Sequence, residues 1–145
     1  MKFEALDSTP IQNYMTTSPP QIAWQKCLGG SSYDEANSVQ QTGDRGYIVA
    51  GDTFSNDDNV SGNHGIRDSW VVKLDNVGDV EWQKCLGGSR YDKANSIQQT
   101  VDGGYIVAGD TNSSDGDVSG NHGNADSWLV KIDSIGNIQW QKCLG

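Results

Sequence analysis

The heptapeptide Trp24-Gln25-Lys26-Cys27-Leu28-Gly29-Gly30 recurs unchanged at Trp82-Gln83-Lys84-Cys85-Leu86-Gly87-Gly88, and its first six residues recur again at Trp140-Gln141-Lys142-Cys143-Leu144-Gly145. Each recurrence falls 58 residues after the last, and residues 24–81 and 82–139 align without a gap, identical at 40 of 58 positions. No other feature restricts the fold as much. A unit of this length repeated in tandem buries its apolar surface against its neighbours, so the chain reads as a stack of like modules.

The period holds four strand candidates and no stretch of helical periodicity. Residues 22–28 predict a strand that Gly29-Gly30 ends, glycine permitting the positive φ of a tight turn. After a polar loop, residues 36–42 predict a second, weaker strand. The turn Gly43-Asp44-Arg45-Gly46 becomes Val101-Asp102-Gly103-Gly104 in the second period, and Asp-Gly in so short a connection is a strong hairpin signal. Residues 47–52 are apolar on both faces, which suits the middle of a covered sheet. Residues 69–75 alternate, placing Trp70, Val72 and Leu74 on one face. Differences between the periods respect this reading. Val39/Ile97, Val71/Leu129, Leu74/Ile132, Val77/Ile135 and Val80/Ile138 exchange one apolar residue for another, while charge varies freely at Glu35/Lys93 and Arg67/Ala125. The expected organisation is a non-repeat leader over 1–20, a first repeat over 21–81, a second over 82–139, and the first strand of a further repeat over 140–145. The leader is expected to be a disordered, extended linker; the alternative is that Phe3, Leu6, Ile11, Tyr14 and Met15 dock as a strand or a turn on the first repeat.

Composition narrows the function classes. The net charge is −9, and the lysines are scattered singly along the repeat. Nucleic acid is thereby excluded as a partner, since phosphate binding needs a clustered basic surface. No apolar run approaches the roughly 20 residues of a membrane span, and Met1–Asp7 lacks the apolar core of a signal peptide. All three prolines precede residue 21, leaving the repeats free of the strongest strand breaker. Cys27, Cys85 and Cys143 share one repeat position, a full unit apart, too far for disulfides between them and without the close spacing of a metal site.

Four-stranded antiparallel units at a period of roughly 40–60 residues are how β-propeller blades read in sequence. The motifs Asp102-Gly103-Gly104-Tyr105-Ile106-Val107-Ala108-Gly109, Asp126-Ser127-Trp128-Leu129-Val130-Lys131-Ile132-Asp133 and Gly136-Asn137-Ile138-Gln139-Trp140-Gln141-Lys142 resemble the blade repeat of bacterial and archaeal propeller-like repeat proteins. The resemblance covers residues 22–145. It implies an all-β fold of two tandem four-stranded antiparallel blades, and a secreted or cell-surface setting for which this chain carries no export signal. Two blades do not close a ring of roughly four to eight. Further blades in a longer protein complete it, or copies of the chain do, three giving about six blades or four giving about eight, or the two blades form an open stack with exposed, aggregation-prone edges.

The long loop over 53–68, repeated at 111–126, is where ligands would bind. Asn63, His64 and Asp68, with Asn121, His122 and Asp126, are its candidate ligand-binding residues, and Asp57, Asp115 and Asp117 its candidate metal ligands. Oxygen-rich Asp/Asn/Gly loops suit calcium, but no Glu closes either loop as an EF-hand would. The same residues suit Asx-turns, in which Asp and Asn bond their own backbone. Ser119, His122 and Asp126 contain the residue types of a hydrolytic triad, without a nucleophile elbow. The five tryptophans, on strands with apolar neighbours, suit core packing ahead of sugar stacking. Both periods carry the same residues, whereas a catalytic site breaks the symmetry of a repeat. The expectation is a non-catalytic module for binding or scaffolding, without a cofactor, whose partners are protein or carbohydrate. The alternatives are a calcium-stabilised adhesion or carbohydrate-binding repeat, and part of a propeller-fold hydrolase or lyase.

Overall fold

The computed structural model describes residues 18–145; the leader residues proposed to dock lie outside them. Eight strands form two sheets. The first runs in the order β1 (Asp34–Gln41), β2 (Tyr47–Thr53), β3 (Asp68–Leu74), β4 (Val80–Leu86). The second repeats it as β5 (Asp92–Gln99), β6 (Tyr105–Thr111), β7 (Asp126–Ile132), β8 (Ile138–Leu144). Every neighbouring pair is antiparallel. None of the described residues forms a helix long and apolar enough to cross a membrane.

The turns explain the order. Between β1 and β2, Arg45 N–H donates to Thr42 O and Thr42 N–H donates to Gly46 O, both at 2.9 Å. Arg45 there has φ 73°, where the second sheet has Gly103 at 82°. This is a type I turn followed by a left-handed residue. A matching turn at Asp75–Asp79, with Gly78 at φ 86°, folds β4 back onto β3.

Each sheet carries two bulges, and each re-aims one polar side chain. In β1 the register slips between Ala36 and Ser38, freeing Asn37. Its amide donates to Asp52 Oδ1 at 3.0 Å and to Ala94 O of the second sheet at 2.9 Å. Opposite this bulge sits Gly51, where an added Cβ would lie 1.8 Å from the carbonyl oxygen of Glu35; Gly109 faces Lys93 in the same way. In β4 the slip turns Glu81 toward Lys73, 2.7 Å away.

The two sheets stack face to face. Ile48, Ala50 and Val71 of the first pack on Ala94, Ile97, Tyr105, Val107, Trp128, Val130 and Ile132 of the second, with Leu86 and the loop residue Val118. As expected, Trp70, Val72 and Leu74 share the opposite face of the first sheet, joined by Cys85 and Val60. Polar bonds cross the interface too. Arg67 N–H donates to Arg90 O and Asp92 N–H donates to Arg67 O, at 3.1 and 2.7 Å.

The phase of the repeat differs from the sequence reading. Residues 82–86 form β4 and close the first sheet, and the heptapeptide's Gly87-Gly88 crosses to the second. Residues 140–144 likewise belong to β8, the last strand of the second sheet. Residues 24–28 join no described sheet. The tight turns at Asp75–Asp79 and Asp133–Asn137 force the segments at Trp82 and Trp140 to pair backwards, whereas the looser Gly-Gly-Ser connection allows the step to the next sheet.

Candidate functional site

The loops between β2 and β3 and between β6 and β7 lie on one rim of the sheets, and their side chains are turned largely onto their own backbone. Asn63 Nδ2 donates to Thr53 O at 3.3 Å and to Ser55 O at 3.1 Å, while its Oδ1 accepts from Gly65 N–H at 2.9 Å. Asn121 repeats this with Thr111, Ser113 and Gly123. His64 and Asp68 form a pair, with His64 N–H donating to Asp68 Oδ2 at 3.0 Å and Nδ1 lying 2.6 Å from the same oxygen. In the second repeat the His122–Asp126 distances are 2.9 and 2.8 Å. So the structure brings together the six candidate ligand-binding residues, three to a loop, as two copies of one brace. Asp68 and Asp126 open strands β3 and β7 rather than lying within the loops.

The two aspartates differ in electrostatics. Burial raises Asp68 above the ordinary carboxylate range, against the opposing bonds from His64, and its buried Oδ1 has no partner among the described residues. Asp126 is lowered, first by the His122 backbone N–H and then by its ring. The cause is position: residues 88–91 of the second repeat lie over the first loop, and no repeat covers the second loop among the described residues.

The candidate metal ligands do not converge. Asp57 Oδ1 accepts from Ser31 N–H and Asp115 Oδ1 from Ser89 N–H, both at 2.8 Å, and Asp117 Oδ2 accepts from Gly87 N–H at 3.2 Å. These bonds to backbone N–H groups hold Asp57 and Asp115 below the ordinary carboxylate range. Among the described residues no three His, Cys, Asp or Glu side chains gather as a metal would need. The imagined triad is not assembled either. Ser119 Oγ accepts from Gln141 Nε2, and no bond joins it to His122 among the described residues.

Sequence reasoning passed over the most connected group on this rim. Asp92, fully buried, accepts from Gly88 N–H and Ser113 Oγ at 2.8 Å each on Oδ2, and from Thr111 Oγ1 on Oδ1. Ser113 Oγ accepts in turn from Arg90 N–H at 3.0 Å. Asp34 makes the same set with Gly30, Ser55 and Thr53. The successive N–H groups of the Gly-Gly-Ser turn form a concave donor array of the kind that binds anions, and here the protein's own carboxylates occupy it. The available signal was an Asp and a Thr-x-Ser triplet unchanged between the periods.

At the opposite rim a buried lysine anchors each sheet. Lys73 Nζ contacts Asp44 Oδ2 at 2.9 Å, Glu81 Oε2 at 2.7 Å and Leu74 O at 3.0 Å. Burial opposes its charge, but the bonds to Glu81 and Asp44 outweigh it and raise the lysine. Lys131 has Asp102 and Gln139 in the equivalent places. Trp70 and Trp128 are buried, their Nε1–H donating to Gln83 and Gln141 at 2.9 and 2.8 Å. Cys85 and Cys143 are buried free thiols, Cys27 an exposed one. Burial, then the charges of Asp68 and Asp34, push Cys85 up to about 12, far from a reactive thiolate.

No protein-family model matches the chain, and no curated protein matches it.

Proposed function

We propose that the chain is a non-catalytic scaffold and binding module, a stack of sheet repeats of the propeller-blade type within a surface or secreted assembly. The observation that carries this is the commitment of the loop chemistry to structure. In both repeats the same Asn, His and Asp side chains brace the loop backbone, and neither repeat departs from the other to create a reacting pair. A general base needs a proton to take within hydrogen-bond reach, and among the described residues no hydroxyl or thiol is bonded to either histidine, whose one ring bond runs from Nδ1 to an aspartate. The setting is suggested by the sequence resemblance alone, and the module's ligands are protein or carbohydrate. The test is an assay of the purified chain against panels of glycan, ester and peptide substrates. No turnover is expected. Hydrolysis or elimination that disappears in both His122→Ala and Asp126→Asn, with the fold intact by circular dichroism, overturns the reading.

A further inference from the structure

The outer face of the first sheet holds a groove of about 580 Å³ beside residues 24–28, floored by Tyr47, Val49, Trp70, Val72 and Leu74. One repeat later, the equivalents Tyr105, Val107, Trp128, Val130 and Ile132 are the surface that receives Ile48, Ala50 and Val71 of the first sheet. The opposite end of the molecule presents the matching plug. Ile106, Ala108 and Leu129 are the equivalents of Ile48, Ala50 and Val71 and are half-buried, whereas those three are fully buried. Val39 is 67% exposed where Ile97 is 5%, and Leu144 is 46% exposed where Leu86 is 3%. Among the described residues the molecule thus carries one finished sheet-to-sheet interface and the two uncovered halves of another.

We propose that this groove receives the outer face of the second sheet, β5–β8, from a second copy of the chain, in a head-to-tail contact built on the plan of the internal interface. The polar groups agree with this occupant. Internally, Gln40 Oε1 accepts from Gln99 N–H at 2.7 Å, and the bulge residue Asn37 reaches Ala94 O. Gln98 and Asn95 are set in the same places to meet Gln41 and Ala36 of a second copy. The bridge through Arg67 is made by backbone groups, so Ala125 can repeat it to Ser32 and Asp34. Charge is also complementary. Glu35 faces Lys93 across the internal interface at 3.9 Å, and because the two hold equivalent positions, Lys93 of one copy meets Glu35 of the next. The clamp is lighter than the internal one. Phe54, whose ring meets Tyr91 of the second sheet edge-on at 6.4 Å, is replaced by Asn112. The contact is therefore reversible. It is also heterologous, so it generates rings or filaments and not a closed two-fold dimer.

Residues 24–28 stand where the docked β8 must go. Trp24 meets Tyr47 edge-on at 5.5 Å as Trp82 of β4 meets Tyr105 at 6.0 Å. Both segments have the sequence Trp-Gln-Lys-Cys-Leu, and only one fits. Among the described residues, 24–28 pair with no sheet, and β8 is laddered to β7 along its length, so 24–28 yields and Trp140 takes its place on Tyr47.

The experiment is light scattering of the 145-residue chain from micromolar to millimolar concentration, with two variants. Ala108→Arg blocks the plug and Val49→Arg blocks the groove, each with its fold checked by circular dichroism. Concentration-dependent association is expected of the unaltered chain. Each variant alone should stay at the monomer mass of 15.7 kDa, and their mixture should form a one-to-one pair and nothing larger, because one good groove and one good plug remain. Trp140→Ala should weaken association at least tenfold, and Trp24→Ala should leave it equal or stronger. A wild-type chain that stays monomeric throughout overturns the proposal and leaves the groove to another occupant. So does association that survives both Arg substitutions, or folded variants that fail to pair when mixed. Weakening by Trp24→Ala but not by Trp140→Ala refutes the displacement of 24–28. None of these outcomes depends on whether the chain turns over a substrate.

Discussion

Replacing Asp92 with alanine tests whether the buried carboxylate network, and not loop composition in general, holds the rim together. The substitution removes the acceptor for three donors, Gly88 N–H, Ser113 Oγ–H and Thr111 Oγ1–H. The two hydroxyls can rotate toward other acceptors, but the Gly88 N–H is fixed by the backbone and stays buried and unpaired. Losing bonds to a charged acceptor and stranding one donor costs about 3–5 kcal/mol. Asp34→Ala removes the same three bonds in the first repeat. That carboxylate is only partly buried, so water replaces it and the cost falls to about 1–2 kcal/mol. Thermal unfolding followed by circular dichroism should give a drop in Tm of about 10 °C for Asp92→Ala and a few degrees for Asp34→Ala. Equal losses would show that burial by the neighbouring repeat does not set the strength of the network. A loss below about 1 kcal/mol for Asp92→Ala would refute the reasoning outright.

The other predictions concern the β1–β2 turns and acid. Arg45 sits at φ 73° where the second repeat has Gly103 at 82°, so Arg45→Gly should stabilise by about 1 kcal/mol and Gly103→Arg should destabilise; thermal melts of both variants check the pair of signs. Asp44 is held far below the ordinary carboxylate range by the Thr42 hydroxyl, Lys73 and the Gly46 N–H, and Asp102 likewise by Thr100, Lys131 and Gly104. A depressed folded-state pKa lends stability that is present above the unfolded value of about 4 and is lost as pH falls through the folded value. Stability should therefore decline below about pH 4, and Asp44→Asn with Asp102→Asn should flatten that decline while lowering stability at neutral pH. An unchanged acid limb in urea melts across this window counts against the assignment.

How much of the candidate site could be read from the chain depends on whether its parts are neighbours in sequence. The His64–Asp68 and His122–Asp126 braces join residues four apart, and the loop composition pointed to them. The networks around Asp34 and Asp92 join residues up to 23 apart across a strand and a hairpin. Nothing local distinguishes those aspartates from the others. Nothing in the sequence marked Lys73 and Lys131 as buried, because strand alternation does not reveal that a bulge one strand away delivers Glu81 or Gln139 to the lysine.

The sequence by itself determined that this is a repeat of 58 residues, that each unit is four short antiparallel strands, that residues 47–52 lie in the middle of a sheet, and which face of β3 carries Trp70, Val72 and Leu74. These follow from periodicity, turn residues and side-chain alternation, all local properties. It did not determine where one unit ends and the next begins, because a periodic pattern has a length but no origin. That was decided by the tight turn at Asp75–Asp79, which sends Trp82–Leu86 back to β3, and by the Gly87-Gly88 step to the next sheet. Tertiary structure alone also made unlike residues of like ones. Val39 and Ile97, or Asp68 and Asp126, hold the same place in the repeat and differ in burial or in the sense of their pKa shift. The physical reason is that a stacked sheet receives half its environment from its neighbour, and here each sheet has its neighbour on a different side.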